Sequence, residues 1–328
     1  MVLMLSRSDV EGMITMPEAI EVLRGAFAEF SRGEAAMPAR SVILVPENQG
    51  WFGVMPAYLF SSGALGLKSV TVFKGNPAKG MPATLGLTLL LDPTTGVPLS
   101  VMEAGHLTGV RTAAVSGLAT SLLAHEDASE LAILGAGGQG RFHLVAMTTV
   151  RPIRRVRVFD ASGENAERFR REMQSATSAS IEVASSPEEA VRGADVIVTT
   201  STSRTPIVEY PWLKPGAHIN GVGSHSPDAR EIGGEVIAHA RVVVDSKDAA
   251  LAEAGDLLIP ISDGLVTAAQ LSDELGEVVM GRKPGRTSPE QITVYKSVGI
   301  AIQDVAVANL VYRKALAAGV GTEVDLLA

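Results

Sequence analysis

The feature that most constrains this chain of 328 residues is a glycine pattern near its middle. The apolar run 131–134 passes directly into Gly135-Ala136-Gly137-Gly138-Gln139-Gly140, and a helical pattern follows. In a strand–turn–helix setting each glycine has a task. Gly135 makes the tight turn, Gly137 lets a pyrophosphate approach the backbone, and Gly140 lets the helix lie close to the sheet. The N–H groups of the helix's first turn have no carbonyl partner and are left for phosphate oxygens. About twenty residues further on, the next apolar run ends in Asp160, where an acid accepts hydrogen bonds from the adenosine ribose hydroxyls. Its charge repels a 2′-phosphate, and its neighbours Ala161 and Ser162 supply no arginine to bind one. NAD is therefore expected in preference to NADP, with Ser162 counted beside Asp160 in the cofactor site.

The α/β alternation around this turn supports the reading. Strands are expected over 131–134, 156–159, 181–184, 196–200, 218–221 and 242–245, with helical segments between them such as 164–176. Alternation of this kind implies a doubly wound parallel sheet of the Rossmann type. Ligands bind such sheets outside the carboxyl ends of the strands. Two more loops are thus expected at the nicotinamide, one with Thr200, Ser201 and Thr202, the other with Val222, Gly223, Ser224 and His225.

The chain before this region reads differently. Thr15-Met-Pro-Glu18 has capping-box spacing, Ile20, Leu23, Phe27 and Phe30 follow at helical intervals, and Gly33 closes the helix. Short runs rich in Val, Leu and Thr then predict strands over 41–45, 67–73, 84–91 and 97–103, in a largely antiparallel or mixed sheet. Residues 107–124 read as one buried helix, and the charged patch 126–130 marks a boundary. The expected organisation is a smaller α+β substrate and dimerisation domain over 1–125, completed by 297–328, and a dinucleotide domain over 126–296. The stretch 246–296 reads as less regular, and 297–318 as an apolar helix.

Composition excludes several classes of function. A net charge of −8 without a basic stripe argues against nucleic acid. The longest apolar run, about 85–91, is too short to span a bilayer, and the residues after Met1 lack the order of a secretion leader. With no cysteine there is neither disulfide nor thiolate chemistry, and the histidine spacings form no metal signature. No Gly-x-Ser-x-Gly element supports hydrolase chemistry. A cytoplasmic protein without metal is the expectation.

Three cations lack an obvious surface role. Arg111 is the only formal charge between Glu103 and Glu126, inside a segment that is apolar all round. Such a helix is buried, so the arginine must be paired, either in an internal salt bridge or with a substrate carboxylate. Lys68 shares a strand face with Val70 and Val72 and sits either at a sheet edge or in a cleft; taken alone, an edge is the simpler reading. Arg40 reads as surface unless other cations converge on it. His225 is the only one of the six histidines in a loop expected to meet the nicotinamide.

Five segments together resemble the ornithine cyclodeaminase/mu-crystallin family over nearly the whole chain. They are Val54-Met-Pro-Ala-Tyr58, Arg111-Thr-Ala-Ala-Val-Ser-Gly-Leu-Ala119, the Gly135–Gly140 turn, Gly223-Ser-His-Ser-Pro-Asp-Ala-Arg-Glu231 and Lys296-Ser-Val-Gly-Ile-Ala-Ile-Gln-Asp304. The resemblance implies a homodimer. It also implies that Arg40, Lys68 and Arg111 converge on a substrate carboxylate with Met55 beside them, that Thr112 helps hold the pyrophosphate, and that Ser297 and Gly299 approach the nicotinamide. One departure is His225, which stands where cyclodeaminases carry a catalytic aspartate; Asp228 is the nearest alternative acid.

The expected activity is NAD(P)H-dependent reduction of an imine α to a carboxylate. The substrate would be a cyclic ketimine such as pyrroline-2-carboxylate, or a keto acid plus ammonia as in alanine dehydrogenase. Lys68 or His225 would donate the proton. Two alternatives stand beside it: ornithine cyclodeamination with tightly bound NAD, and a mu-crystallin-type protein that binds NAD(P)H or a small ligand.

Overall fold

The computed structural model describes residues 1–73, 75–271 and 273–326. It divides into two compact units, Met1–Thr112 with Ile300–Ala328, and Ala113–Gly299. The expected limits at 125/126 and 296/297 therefore shift. The first division falls inside the helix Ala104–Leu123, because one uninterrupted apolar helix serves both units and the charged turn that follows it separates neither. Residues 327 and 328 of the expected completing segment lie outside the described residues.

In the first unit the N-terminal signals act as read. Thr15 N donates to Glu18 Oε2 at 3.0 Å, the helix runs Met16–Ser31, and Gly33 takes φ +74° just beyond it. Its sheet is mixed. In spatial order the strands are Thr322–Val324, Val2–Leu5, Pro98–Glu103, Thr84–Leu91, Ala64–Phe73, Gly50–Leu59 and Ala35–Ala36, with Ser41–Val45 also paired to Gly50–Leu59. Val2–Leu5 runs parallel to Pro98–Glu103, and the other pairs are antiparallel. The C-terminal helix Ala301–Ala318 packs across the strands Gly50–Leu59, Ala64–Phe73 and Thr84–Leu91 and against Met16–Ser31.

The ten-residue strand Gly50–Leu59 was illegible because Gly50, Gly53 and Pro56 read as turn residues. The topology explains how the proline is tolerated. Ser41–Val45 pairs with Gly50–Val54, and Ala35–Ala36 pairs with Tyr58–Leu59, so on that side Pro56 faces the gap between two short strands. A residue with no N–H fits where no ladder bond is required.

The second unit is the expected doubly wound sheet, with two more strands than the periodicity predicted. The order is Ser180–Val183, Arg155–Phe159, Glu130–Leu134, Val196–Thr199, His218–Gly221, Thr293–Lys296, Arg241–Val244 and Asp273–Glu274, all parallel. Thr293–Lys296, within the stretch read as irregular, is wholly buried in the middle of the sheet. Four residues ending in lysine carry too little periodicity to announce a strand. The same unit caps the helix Ala104–Leu123. Arg151 Nη2 donates to the carbonyls of Thr120, Ser121 and Ala124 at 2.9, 3.0 and 3.0 Å, and Arg286 Nε to that of Leu123 at 3.1 Å. Guanidinium groups thus serve the orphan carbonyls at the negative end of the helix dipole. Among the described residues no helix is long and apolar enough to cross a membrane.

Candidate functional site

In the second unit Gly135 makes the expected turn and Gly140 the expected close approach. Gly135 has φ +112°, and a Cβ there would lie 2.7 Å from the Thr200 carbonyl carbon. A Cβ on Gly140 would lie 2.3 Å from Gly135 O, so only glycine lets the helix Gly138–Val150 approach the strand. At Gly137 and Gly138 nothing lies within 4 Å of an added Cβ, which leaves open space over the N–H groups of the helix's first turn. Arg141 occupies the turn's carbonyl side, donating from Nη1 to Gly137 O at 3.0 Å and pairing with Glu172 at 2.6 Å. The carbonyls are thus served, and the open side presents N–H groups. That is the polarity a pyrophosphate needs, so the residues present fit a dinucleotide.

Asp160 stands just past the strand Arg155–Phe159. Its Oδ2 accepts from Ala136 N and its Oδ1 from Ser162 N, each at 2.9 Å. The carboxylate ties the glycine turn to the second strand; Oδ1 also accepts from Asn165 Nδ2 at 3.4 Å, and Oδ2 retains a lone pair for a ribose hydroxyl. Ser162 caps the helix Gly163–Met173.

The loops after the fourth and fifth strands are joined by a residue that sequence reasoning missed. Glu231 is fully buried, and its carboxylate accepts four hydrogen bonds. Oε1 accepts from Ser201 N and Oγ at 2.7 and 2.6 Å, and Oε2 from Thr199 Oγ1 and Gly223 N at 2.8 and 2.7 Å. Thr200 Oγ1 donates to Gly135 O at 3.0 Å, which ties the same loop to the glycine turn. Lys296, also fully buried, donates to Ser224 O at 2.6 Å and pairs with Asp256 at 2.7 Å, while Asp256 Oδ1 accepts from the N–H groups of Glu231 and Ile232. Asp245 Oδ2 accepts from Ser297 Oγ, Val298 N and Gly299 N at 3.2, 2.9 and 2.7 Å. Burial pushes both Glu231, with Asp256 beside it, and Asp245 above the usual carboxylate range.

Thr202, Val222 and His225 lie on these loops, with His225 exposed. Asp228 is committed elsewhere, to Arg204 and to Ser226 Oγ, which hold its carboxyl below the ordinary range. It does not replace the missing cyclodeaminase aspartate as a free base.

In the first unit the structure brings the three cations together. Lys68 is 2% exposed on the central strand Ala64–Phe73, which corrects the edge reading, because both neighbouring strands pair with it. Met55, 3% exposed, is its cross-strand partner. Ser41 pairs with Val54, so Arg40, one residue before the paired stretch, falls by register opposite Met55, beside the gap at Pro56. Arg111, 5% exposed, reaches the same place from the helix Ala104–Leu123. Thr112, next along that helix, donates through Oγ1 to Thr108 O at 2.7 Å.

Two residues of the C-terminal helix, absent from the expected site, complete the cluster. Asp304 Oδ1 lies 2.9 Å from both Lys68 Nζ and Arg111 Nε, and Gln303 Oε1 accepts from Arg111 Nη1 at 2.5 Å. The available signal was an acid in an apolar helix, Ala-Ile-Gln-Asp304-Val-Ala-Val, which demands a buried cation. Lys68 is lowered from 10.5 to about 8, first by burial and then by Arg111, with Asp304 pulling up and Arg40 pushing down. Lys68 and Arg111 against the carboxylate of Asp304 leave an excess of positive charge in a buried place. A buried place of this kind favours a further carboxylate.

A parallel sheet with a glycine turn open over its N–H groups, and a mixed sheet carrying buried Lys68, Arg111 and Asp304, define a dinucleotide-binding α/β protein with a second, mixed-sheet unit. The chain belongs to the ornithine cyclodeaminase/mu-crystallin family, whose model matches residues 1–319. It is similar to the ketimine reductase mu-crystallin of Mus musculus, 41% identical over 296 residues that cover 89% of this chain and 90% of that one. It is also similar to the Delta(1)-pyrroline-2-carboxylate reductase of Thermococcus litoralis in complex with NADH and L-proline, with TM-score 0.96 and 42% identity over 98% of this chain and 100% of that one. A third likeness is to an archaeal alanine dehydrogenase dimer with bound NAD, with TM-score 0.93 and 37% identity over 99% of each chain.

Proposed function

We propose that the protein is an NAD(P)H-dependent oxidoreductase that reduces an imine α to a carboxylate, taking a cyclic ketimine or a keto acid plus ammonia. The carrying observation is the buried pairing of Lys68 and Arg111 with one acid, Asp304, with Arg40 near enough to act on Lys68, in a chain that also holds a dinucleotide turn. The relatives that act on imines and amino acids support the same reading.

Arg40 and Arg111 hold the substrate carboxylate, Arg111 on donors that Gln303 and Asp304 have already oriented. Lys68 donates the proton to the substrate nitrogen; a lysine at about 8 gives it up far more readily than one at its ordinary value. The cofactor rests on Gly135–Gly140, Asp160, Ser162, Thr112 and the loops with Thr200, Ser201, Thr202, Val222, Gly223, Ser224, His225, Ser297 and Gly299. When bound, it supplies the hydride. Asp160 favours NAD over NADP, with the cytoplasm as the working compartment.

A homodimer belongs to this reading. The outer face of the mixed sheet exposes Ile43, Leu85 and Leu87, with Phe52 half-buried between them by register. An apolar sheet face of this kind calls for a partner.

The deciding experiment follows oxidation of NADH and NADPH with pyrroline-2-carboxylate, piperideine-2-carboxylate and a panel of keto acids with ammonia. Saturable turnover of one of them is expected, with NADH preferred. Silence on the whole panel, with NADH still bound, would overturn the reading in favour of a storage role.

A further inference from the structure

Nothing so far requires the acid of the cation cluster to be more than a counter-ion. Its geometry asks for more. Asp304 is 3% exposed, and a single oxygen, Oδ1, meets Lys68 Nζ and Arg111 Nε at the same 2.9 Å. The two cations come from different elements, a strand and a helix, and the acid comes from a third. Gln303, one residue earlier, holds Arg111 by another nitrogen, so the guanidinium has no freedom to turn. Asp304 also lies in the first turn of the eighteen-residue helix Ala301–Ala318, where the helix dipole favours negative charge.

We propose that Asp304 is the positioning residue for proton donation: it fixes Lys68 and Arg111 on one oxygen and keeps the proton on Lys68 until substrate arrives. The inference rests on the imine-reductase reading. In that reaction an Nζ–H bond of Lys68 breaks and its proton forms an N–H bond on the substrate. The substrate carbon takes the hydride from the reduced nicotinamide, and water reprotonates the neutral amine of Lys68. The charged groups facing Lys68 are Asp304, Arg111 and Arg40, and only Asp304 favours its protonated form. Without it, burial and two cations would strip the proton at lower pH.

The structure also supplies a clean variant. Asp304 Oδ2 is buried with no hydrogen-bond partner among the described residues. In Asp304→Asn the amide oxygen can take the place of Oδ1 and the NH2 that of Oδ2, where it meets no opposing donor. Shape and the hydrogen bond from Lys68 remain, and the charge goes.

With Lys68 as proton donor, wild-type kcat/KM should fall as pH rises through about 8. In Asp304→Asn this alkaline limb should move at least one pH unit towards acid, costing roughly fivefold or more at the original midpoint, while the Kd for NADH stays close to wild type. Lys68→Arg should abolish the limb. A uniform loss at every pH with the limb unmoved would overturn the proposal. If Asp304→Asn does not fold, Asp304→Glu keeps the charge but displaces the oxygen: the limb should stay and kcat/KM fall at every pH, and an unaltered kcat/KM would overturn the positioning role. An NMR titration of the Lys68 side chain in both proteins needs no turnover. It separates the two ideas, because an inactive wild type whose lysine still titrates lower in the variant sinks only the reaction.

Discussion

The two units make anion sites by opposite means. The dinucleotide turn uses backbone: its N–H groups come from one short segment, and its essential side chains are the missing ones of Gly135 and Gly140. The carboxylate cluster uses formal charge, delivered by Arg40, Lys68, Arg111 and Asp304 from four separate places in the chain. A backbone site tolerates change in what surrounds it but not an added methyl group within it. A charge cluster depends on the count of its charges and on where each one sits. Mutation and pH should therefore damage the two differently.

The largest effect is expected at Arg111→Ala. It removes charge-assisted bonds of about 1.5–3 kcal/mol each, so kcat/KM should fall ~100-fold or more through KM, with the NADH Kd within about twofold of wild type. Equal damage to NADH binding would erase the distinction drawn between the units. Gly140→Ala is the converse: its Cβ would lie 2.3 Å from Gly135 O, and that backbone must give way. We expect NADH affinity to fall on the order of 100-fold, measured by cofactor fluorescence, while Lys68 titrates as before.

Glu231→Gln sharpens the comparison, since it alters how the cofactor loops are held without touching a backbone N–H of the glycine turn. One amide proton pair would face donors at Ser201 or at Thr199 and Gly223. About tenfold in the KM for NADH is expected, near the cost of a single mispaired buried group, with the amino- or imino-acid KM little changed.

A separate effect concerns pH and stability. Burial holds His143 down to about 4 and His218 to about 3. Below pH 6.5 the unfolded chain therefore takes up protons that the folded one refuses, and stability falls as pH falls. Each contributes a loss on the order of 3 kcal/mol by pH 4. Denaturant midpoints in His143→Gln should show a flatter acid slope than wild type, and an unchanged slope would remove that histidine from the account.

The same contrast governs what was legible in the sequence. Gly135, Gly137, Gly140 and Asp160 are read by spacing because they serve one local turn. Arg111 announced itself as a lone charge in an apolar helix, yet its partners Gln303 and Asp304 lie about 190 residues away in sequence, and no pattern measures that. Lys68 read as an edge residue because strand order is a property of the whole sheet. Glu231, Asp245 and Lys296 escaped notice for a related reason: an acid or a lysine in a loop or at a strand end reads as solvated until the segments it binds are folded around it. The strand Gly50–Leu59 was hidden by a proline that only its paired neighbours make permissible.

The late strand Thr293–Lys296 has a consequence for how the molecule is made. It fills the slot between His218–Gly221 and Arg241–Val244, so neighbours translated earlier must wait for it with their facing edges unpaired. The mixed sheet waits longer, since the helix that covers it begins only at Ala301. On the ribosome neither unit can finish before nearly all the chain has emerged. Its vulnerable moment is the end of synthesis, when open sheet edges and a bare apolar face are exposed together.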